Sequence, residues 1–135
     1  MTYALDSNAV FQILNDNQSV LSNADSVIEN GNAVVLPPFV YYEVQRGFFY
    51  KSSPVKELAF ERLCELYPVG NMTLDVWDYA AQVYANLRKR NQTIEDADIL
   101  IAAFCITNGY ILVTHNTKHF ERVSELVIED WTIHN

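Results

Sequence analysis

At 135 residues, half of them hydrophobic and only four of them Gly, the chain is long enough to bury roughly two thirds of its unfolded surface and too apolar for a disordered tail. No apolar stretch reaches the roughly 18 residues of a membrane span, and no basic flank precedes a long apolar run at the N-terminus, so a cytoplasmic protein without a signal peptide is expected. Nine Lys and Arg against 17 Asp and Glu leave a net charge of −8, the wrong sign for holding nucleic acid by phosphate contacts alone, and this implies bound cations or a basic partner.

Residues 3–6 read as a short buried strand ending at Asp6, after which Ser7 or Asn8 caps a helix through Leu14. A second helix covers residues 18–28 and stops at Asn30-Gly31, a C-cap signal. Residues 33–36 are apolar with two β-branched Val, hence a second strand. Pro37-Pro38 ends it and suits the start of a helix over residues 39–50, which carries Glu43 in its early turns. Ser53 and Pro54 supply the N-cap and first position of another helix, with Leu58, Phe60, Leu63 and Leu66 as its apolar surface. Residues 67–70 form a candidate third strand. Thr73 caps a long helix to about Arg90, where Arg88-Lys89-Arg90 complements the helix dipole in preference to contacting RNA. Thr93 or Glu95 opens an apolar helix that has Asp96 and Asp98 in its first turn and ends at Asn108-Gly109. Residues 110–114 are the clearest strand, and residues 126–128 an edge strand.

The order βααβ, several helices, then βαβ predicts a three-layer α/β fold with a mostly parallel central sheet flanked by helices. In such a sheet the C-terminal strand ends and the helix N-termini share one edge. Asp6, Glu43, Asp96 and Asp98, far apart in sequence, are thereby aimed at one place. Clustered carboxylates repel unless a cation or proton intervenes, and hard oxygen donors without a Cys/His set favour Mg²⁺ or Mn²⁺.

Each acid also has an ordinary reading. Asp6 can cap the following helix, Glu43 can pair with Arg46, and Asp96 and Asp98 fit the preference for acids in a first helical turn. Asp98 leads the Ile101/Ala102/Cys105 stripe and Asp96 leads Ile99/Leu100/Ala103, so periodicity does not choose between them. Thr114 and Asn116 join the same edge, either positioning a water or phosphate or capping a turn. His115 and His119 straddle a loop with no third His, which disfavours zinc, and His134 is uninformative. Cys64 and Cys105 read as reduced thiols, and Met72 and Trp77 as packing residues. No Walker-type Gly loop, dinucleotide Gly fingerprint or G-x-S-x-G turn is found, which leaves metal-assisted hydrolysis of a phosphodiester as the expected chemistry.

The segments YALDSNAVFQIL, YYEVQRG, DADILIAAFCITNGYILVTHNTKHF and IEDW, in that order, resemble PIN-domain ribonucleases, specifically the VapC-like toxins of bacterial type II toxin–antitoxin modules. The likeness runs end to end and implies a single PIN domain over residues 1–135. It further implies a homodimeric, Mg²⁺-dependent endoribonuclease, with Mn²⁺ as a substitute ion, that is neutralised by a VapB-like antitoxin. Some toxins of this kind cut structured RNA such as tRNA. The resemblance matches Asp6 and Glu43 to the acids of the first and second motifs, and Asp98 to the acid before the LIAA core. Thr114 and Asn116 match the polar pair after the last inner strand. Asp6 and Asp98 are then the metal ligands, and Glu43 orients or deprotonates the attacking water. The D-x-x-I-A-A spacing selects Asp98 over Asp96.

Many PIN domains have a fourth acid just before the Phe of the last motif, where this chain has His119. That departure weakens a second ion site or leaves Asp96 to substitute. An antitoxin would place an Arg or Lys among Asp6, Glu43 and Asp98. The alternative is a catalytically inactive PIN-like module that binds RNA or an antitoxin.

Overall fold

Strands β1 (Thr2–Leu5), β2 (Ala33–Val35), β3 (Ile111–Val113) and β4 (Ile128–Glu129) pair in parallel in the order β2-β1-β3-β4. They belong to a computed structural model that describes residues 1–133; His134 lies outside the described residues. Helices α1 (Ser7–Leu14), α2 (Gln18–Glu29), α3 (Pro38–Tyr50), α4 (Pro54–Leu66), α5 (Leu74–Lys89), α6 (Asp96–Asn108) and α7 (Thr117–Phe120) flank the sheet. The expected α/β architecture and element order are both present. Among the described residues no helix is long and apolar enough to cross a membrane.

Helix α6 is the spine of the core. Ile99 and the run from Ile101 to Cys105 are all buried, so the helix packs on more than one face, as an all-round apolar sequence requires. Gly109 ends it in the left-handed conformation at φ 71°, which lets the chain turn directly into β3. Beyond β4, the Trp131 ring packs 5.6 Å from the Tyr3 ring, and its carbonyl accepts hydrogen bonds from Ser19 Oγ at 2.9 Å and Asn23 Nδ2 at 3.1 Å. The closing Trp thus ties the end of the described chain to β1 and α2.

Several local expectations need correction. Residues 67–70 do not form a strand. Pro68 has no N–H, so pairing shrinks to one bridge between Leu36 and Val69, supported by Leu36 N to Pro68 O at 3.0 Å and Gly70 N to Leu36 O at 2.9 Å. Leu58 and Leu66 are exposed, and α4 meets the core through the buried Phe60 and Leu63, with the half-buried Cys64 packed beside them. At the start of α4 the Ser53 hydroxyl makes no cap; Glu57 reaches back to the Ser53 N–H and the Ser52 hydroxyl instead, both at 3.0 Å. Trp77 is about half exposed, and the edge strand is Ile128–Glu129 instead of residues 126–128. The short helix α7 falls where the sequence reads as loop, because four residues carry too little periodicity to register.

Candidate metal-binding active site

The sheet register builds the centre of the site. Leu5 of β1 pairs with Val113 of β3, so the residues that follow, Asp6 and Thr114, emerge side by side at the C-terminal ends of adjacent strands. The chain proceeds from β1 to β2 on one side and returns as β3 on the other, which makes this the crevice where open α/β sheets bind ligands. Asp6 N donates to Val113 O at 2.9 Å, locking the exit of both strands. Asp6 itself, not Ser7 or Asn8, is the N-cap of α1: its Oδ1 accepts from Ser7 N at 2.8 Å. Its Oδ2 accepts from the buried Thr114 hydroxyl at 2.7 Å. The capping role and the strand-end role foreseen for Asp6 are therefore served by one carboxylate.

Glu43 arrives from α3, whose Val40 and Val44 anchor the helix in the core. Its pairing with Arg46 is present but loose, at 3.8 Å, and Oε1 is buried with no hydrogen-bond partner. Asp98 arrives from the first turn of α6, for which Glu95 and not Thr93 is the N-cap. Its Oδ2 lies 3.3 Å from Nδ1 of His119 on α7, and that nitrogen also lies 3.3 Å from Asn116 Nδ2. Thr114 Oγ1 accepts from Asn116 N at 3.0 Å. A continuous polar chain, Asp6–Thr114–Asn116–His119–Asp98, thus spans the crevice. Asp96 stands apart from it, lining the α5–α6 groove with Trp77, Tyr84 and Leu100.

The three acids feel one another. Burial raises the Asp6 carboxyl above its ordinary value; the Thr114 and Ser7 donors counter this, and Asp98 adds to it. Burial likewise raises Glu43, reinforced by the charges of Asp6 and Asp98 and opposed by Arg46 and by the Ser7 hydroxyl. Asp98 is raised by burial and by Glu95, with His119 pulling the other way. Partly desolvated, mutually repelling carboxylates with an orphaned oxygen among them suit a hard divalent cation. Among the described residues no three acidic, His or Cys side chains converge on one point.

Sequence reasoning missed the partner of His119. It also missed that His115 turns elsewhere, its Nδ1 lying 3.0 Å from Asp130 Oδ2. The two histidines face different carboxylates, so their spacing of four has no common ligand. The burial of Phe120 next to His119 is the signal that could have placed α7 against the site.

The sequence profile described as "PIN domain" matches residues 3–126. "Ribonuclease VapC1" of Haemophilus influenzae (strain R2866) is 28% identical over 137 residues, covering 98% of this chain and 99% of its own. "tRNA(fMet)-specific endonuclease VapC" of Shigella flexneri is 38% identical over 66 residues, covering 44% of this chain and 50% of its own. Among solved structures, VapBC2 from Rickettsia felis, bound to a DNA fragment from its promoter, has a chain that aligns with a TM-score of 0.90 at 24% identity, over 97% of this chain and 99% of that one. VapBC-1 from nontypeable Haemophilus influenzae gives a TM-score of 0.88 at 25% identity, over 98% of this chain and 100% of that one.

Proposed function

The chain belongs to the PIN domain family, and we propose that it is a metal-dependent endoribonuclease of the VapC toxin type, hydrolysing RNA phosphodiester bonds. The observation that supports this reading is that Asp6, Glu43 and Asp98 lie within one another's electrostatic reach, with Glu43 Oε1 buried and without a hydrogen-bond partner. A divalent ion, Mg²⁺ with Mn²⁺ as a substitute, supplies neutralisation of the phosphate and a lowered pKa for the attacking water.

Asp6 and Asp98 hold that ion. Asp6 is fixed through both oxygens by Ser7 and Thr114, and each oxygen keeps a lone pair for a cation. Glu43 orients the attacking water and takes its proton. Its raised pKa brings it nearer the operating pH of a general base, and its free Oε1 is the atom available to do so. Thr114 and Asn116 keep the Asp6 side of the crevice in register with the Asp98 side. The ion also answers the charge problem, since a net −8 chain gains a local positive centre for a phosphate.

The relatives' names extend the proposal to tRNA as a substrate and to a VapB-like antitoxin as the neutralising partner. The antitoxin's Arg or Lys would form charge-assisted bonds with Asp6, Glu43 and Asp98. We also assign a cytoplasmic homodimer in which residues 1–135 form one PIN domain.

The test is cleavage of labelled RNA by purified chain with Mg²⁺ and then with excess chelator. Loss of cleavage on chelation, restored by added Mg²⁺, is expected. Cleavage that survives exhaustive chelation overturns the mechanism. RNA bound but never cut assigns the chain to the non-hydrolysing alternative.

A further inference from the structure

His119 lies on α7 with its side chain 45% exposed and its Nδ1 3.3 Å from Asp98 Oδ2. The partner decides which ring nitrogen carries the proton. A carboxylate oxygen only accepts, so this contact is a hydrogen bond only when Nδ1 bears hydrogen. Asn116, 3.3 Å from the same nitrogen, must then present its amide oxygen to the ring, because a protonated Nδ1 has no lone pair to receive an N–H. Among the described residues no hydrogen bond engages Asp98 Oδ1.

The donor is firmly placed. Phe120, the next residue, is fully buried and pins α7 to the core. Asn116 at the other end is bonded through its backbone N–H to Thr114, which is bonded to Asp6. The backbone that carries His119 is therefore set relative to Asp6 by packing on one side and hydrogen bonds on the other.

We propose that His119 is a positioning residue: its Nδ1–H donates to Asp98 Oδ2 and fixes the orientation in which the Asp98 carboxylate would help hold a divalent cation. This rests on the ion-binding reading above. Free rotation of the Asp98 carboxylate would otherwise have to be lost on binding; the imidazole removes that freedom beforehand, as outer-shell partners of metal ligands do. His119 touches neither substrate nor ion in this arrangement and works through Asp98.

The test combines two measurements on the full chain. Nitrogen NMR of the metal-free protein reads the His119 tautomer, in the parent and in Asp98→Ala. Calorimetric titration with Mg²⁺ and with Mn²⁺ reads affinity in the parent and in His119→Ala, His119→Asn and His119→Gln. Asn Nδ2 stands two bonds from Cβ, like imidazole Nδ1, whereas the Gln amide nitrogen reaches the place of Nε2.

The expected results are an Nδ1–H tautomer that is lost in Asp98→Ala and an affinity about 10–100-fold weaker in His119→Ala. Affinity should return in His119→Asn and not in His119→Gln. An Nε2–H parent, undiminished affinity in His119→Ala, or rescue by Gln in place of Asn overturns the proposal. A parent that binds neither ion overturns the ion-binding reading and the cation half of this proposal, while the tautomer still reports separately on the His119–Asp98 bond.

Discussion

Thr114 Oγ1 donates to Asp6 Oδ2 over 2.7 Å, joining residues 108 positions apart that the register of β1 and β3 sets next to each other. The hydroxyl is buried, and it also accepts from Asn116 N, so it couples the strand-end acid to the turn that leads into α7. Bonds from donors to a carboxylate favour its charged form and oppose the burial that raises its pKa.

Thr114→Val keeps the shape and deletes the donor. The Asp6 carboxylate and the Asn116 N–H both lose their partner, which costs about 1–3 kcal/mol for a buried unsatisfied group. Divalent affinity should fall about 10–100-fold, as for loss of an outer-shell partner. Thr114→Ser retains the oxygen and should stay near the parent on both counts. Denaturant unfolding and calorimetric titration check the pair; equal ion affinity in Thr114→Val and the parent contradicts the role given to this hydroxyl.

The sheet and six of the seven helices were legible because strand ends, caps and apolar periodicity were strong: Asn30-Gly31, Asn108-Gly109 and Ser53-Pro54 all mark real boundaries. That Asp6, Glu43 and Asp98 come within one another's field agrees with the topology, since strand ends and helix starts share an edge. What escaped was lateral information. Nothing in the sequence pairs His119 with Asp98 or His115 with Asp130, because both contacts depend on how a four-residue helix and its turn lie across the sheet edge. Residues 67–70 misled for a different reason: Tyr67 and Val69 suit a strand, but Pro68 limits the ladder to one bridge.

Asp98 and Asp96 separate cleanly by position. Asp98 faces His119 and lies in the field of Asp6 and Glu43, whereas Asp96 turns toward Trp77 and Tyr84. Asp98→Asn should reduce RNA cleavage by about 10²–10³, the scale of one lost electrostatic contact at a reacting centre. Asp96→Asn should cleave like the parent at both limiting and saturating Mg²⁺. A dead Asp96→Asn beside an active Asp98→Asn reverses the assignment.

All three acids are raised above their ordinary values, Asp6 and Asp98 from 3.8 and Glu43 from 4.5. A carboxyl that holds its proton more tightly when folded makes the folded state lose stability as pH climbs from the ordinary value through the raised one. The penalty is complete above the raised value and absent below the ordinary one. In chelator at pH 7, Glu43→Gln and Asp98→Asn should therefore unfold at higher temperature than the parent. The advantage should shrink toward pH 4 and disappear when saturating Mg²⁺ stabilises the parent by mass action. Thermal scans of the three proteins at both pH values, with and without the ion, test this. A Glu43→Gln protein less stable than the parent in chelator at pH 7 is the result that fails it.

Gly70 lies directly under the Phe104 ring. A Cβ built at this position would fall 2.8 Å from Phe104 Cε1 and closer still to Cζ, and Phe104 is itself buried on α6 and packed 5.7 Å from the Tyr110 ring. Gly70 also donates to Leu36 O, holding the only bridge that residues 67–70 make to the end of β2. Gly70→Ala should thus destabilise the fold by about 1–3 kcal/mol through overpacking, against the small gain that Ala for Gly brings by reducing unfolded-chain entropy. Phe104→Leu removes the far edge of the ring and should recover part of that loss in the double variant, while costing stability when made alone. Denaturant melts of the four proteins form the cycle: strictly additive losses, with no recovery in the double variant, contradict a direct Gly70–Phe104 clash as the cause.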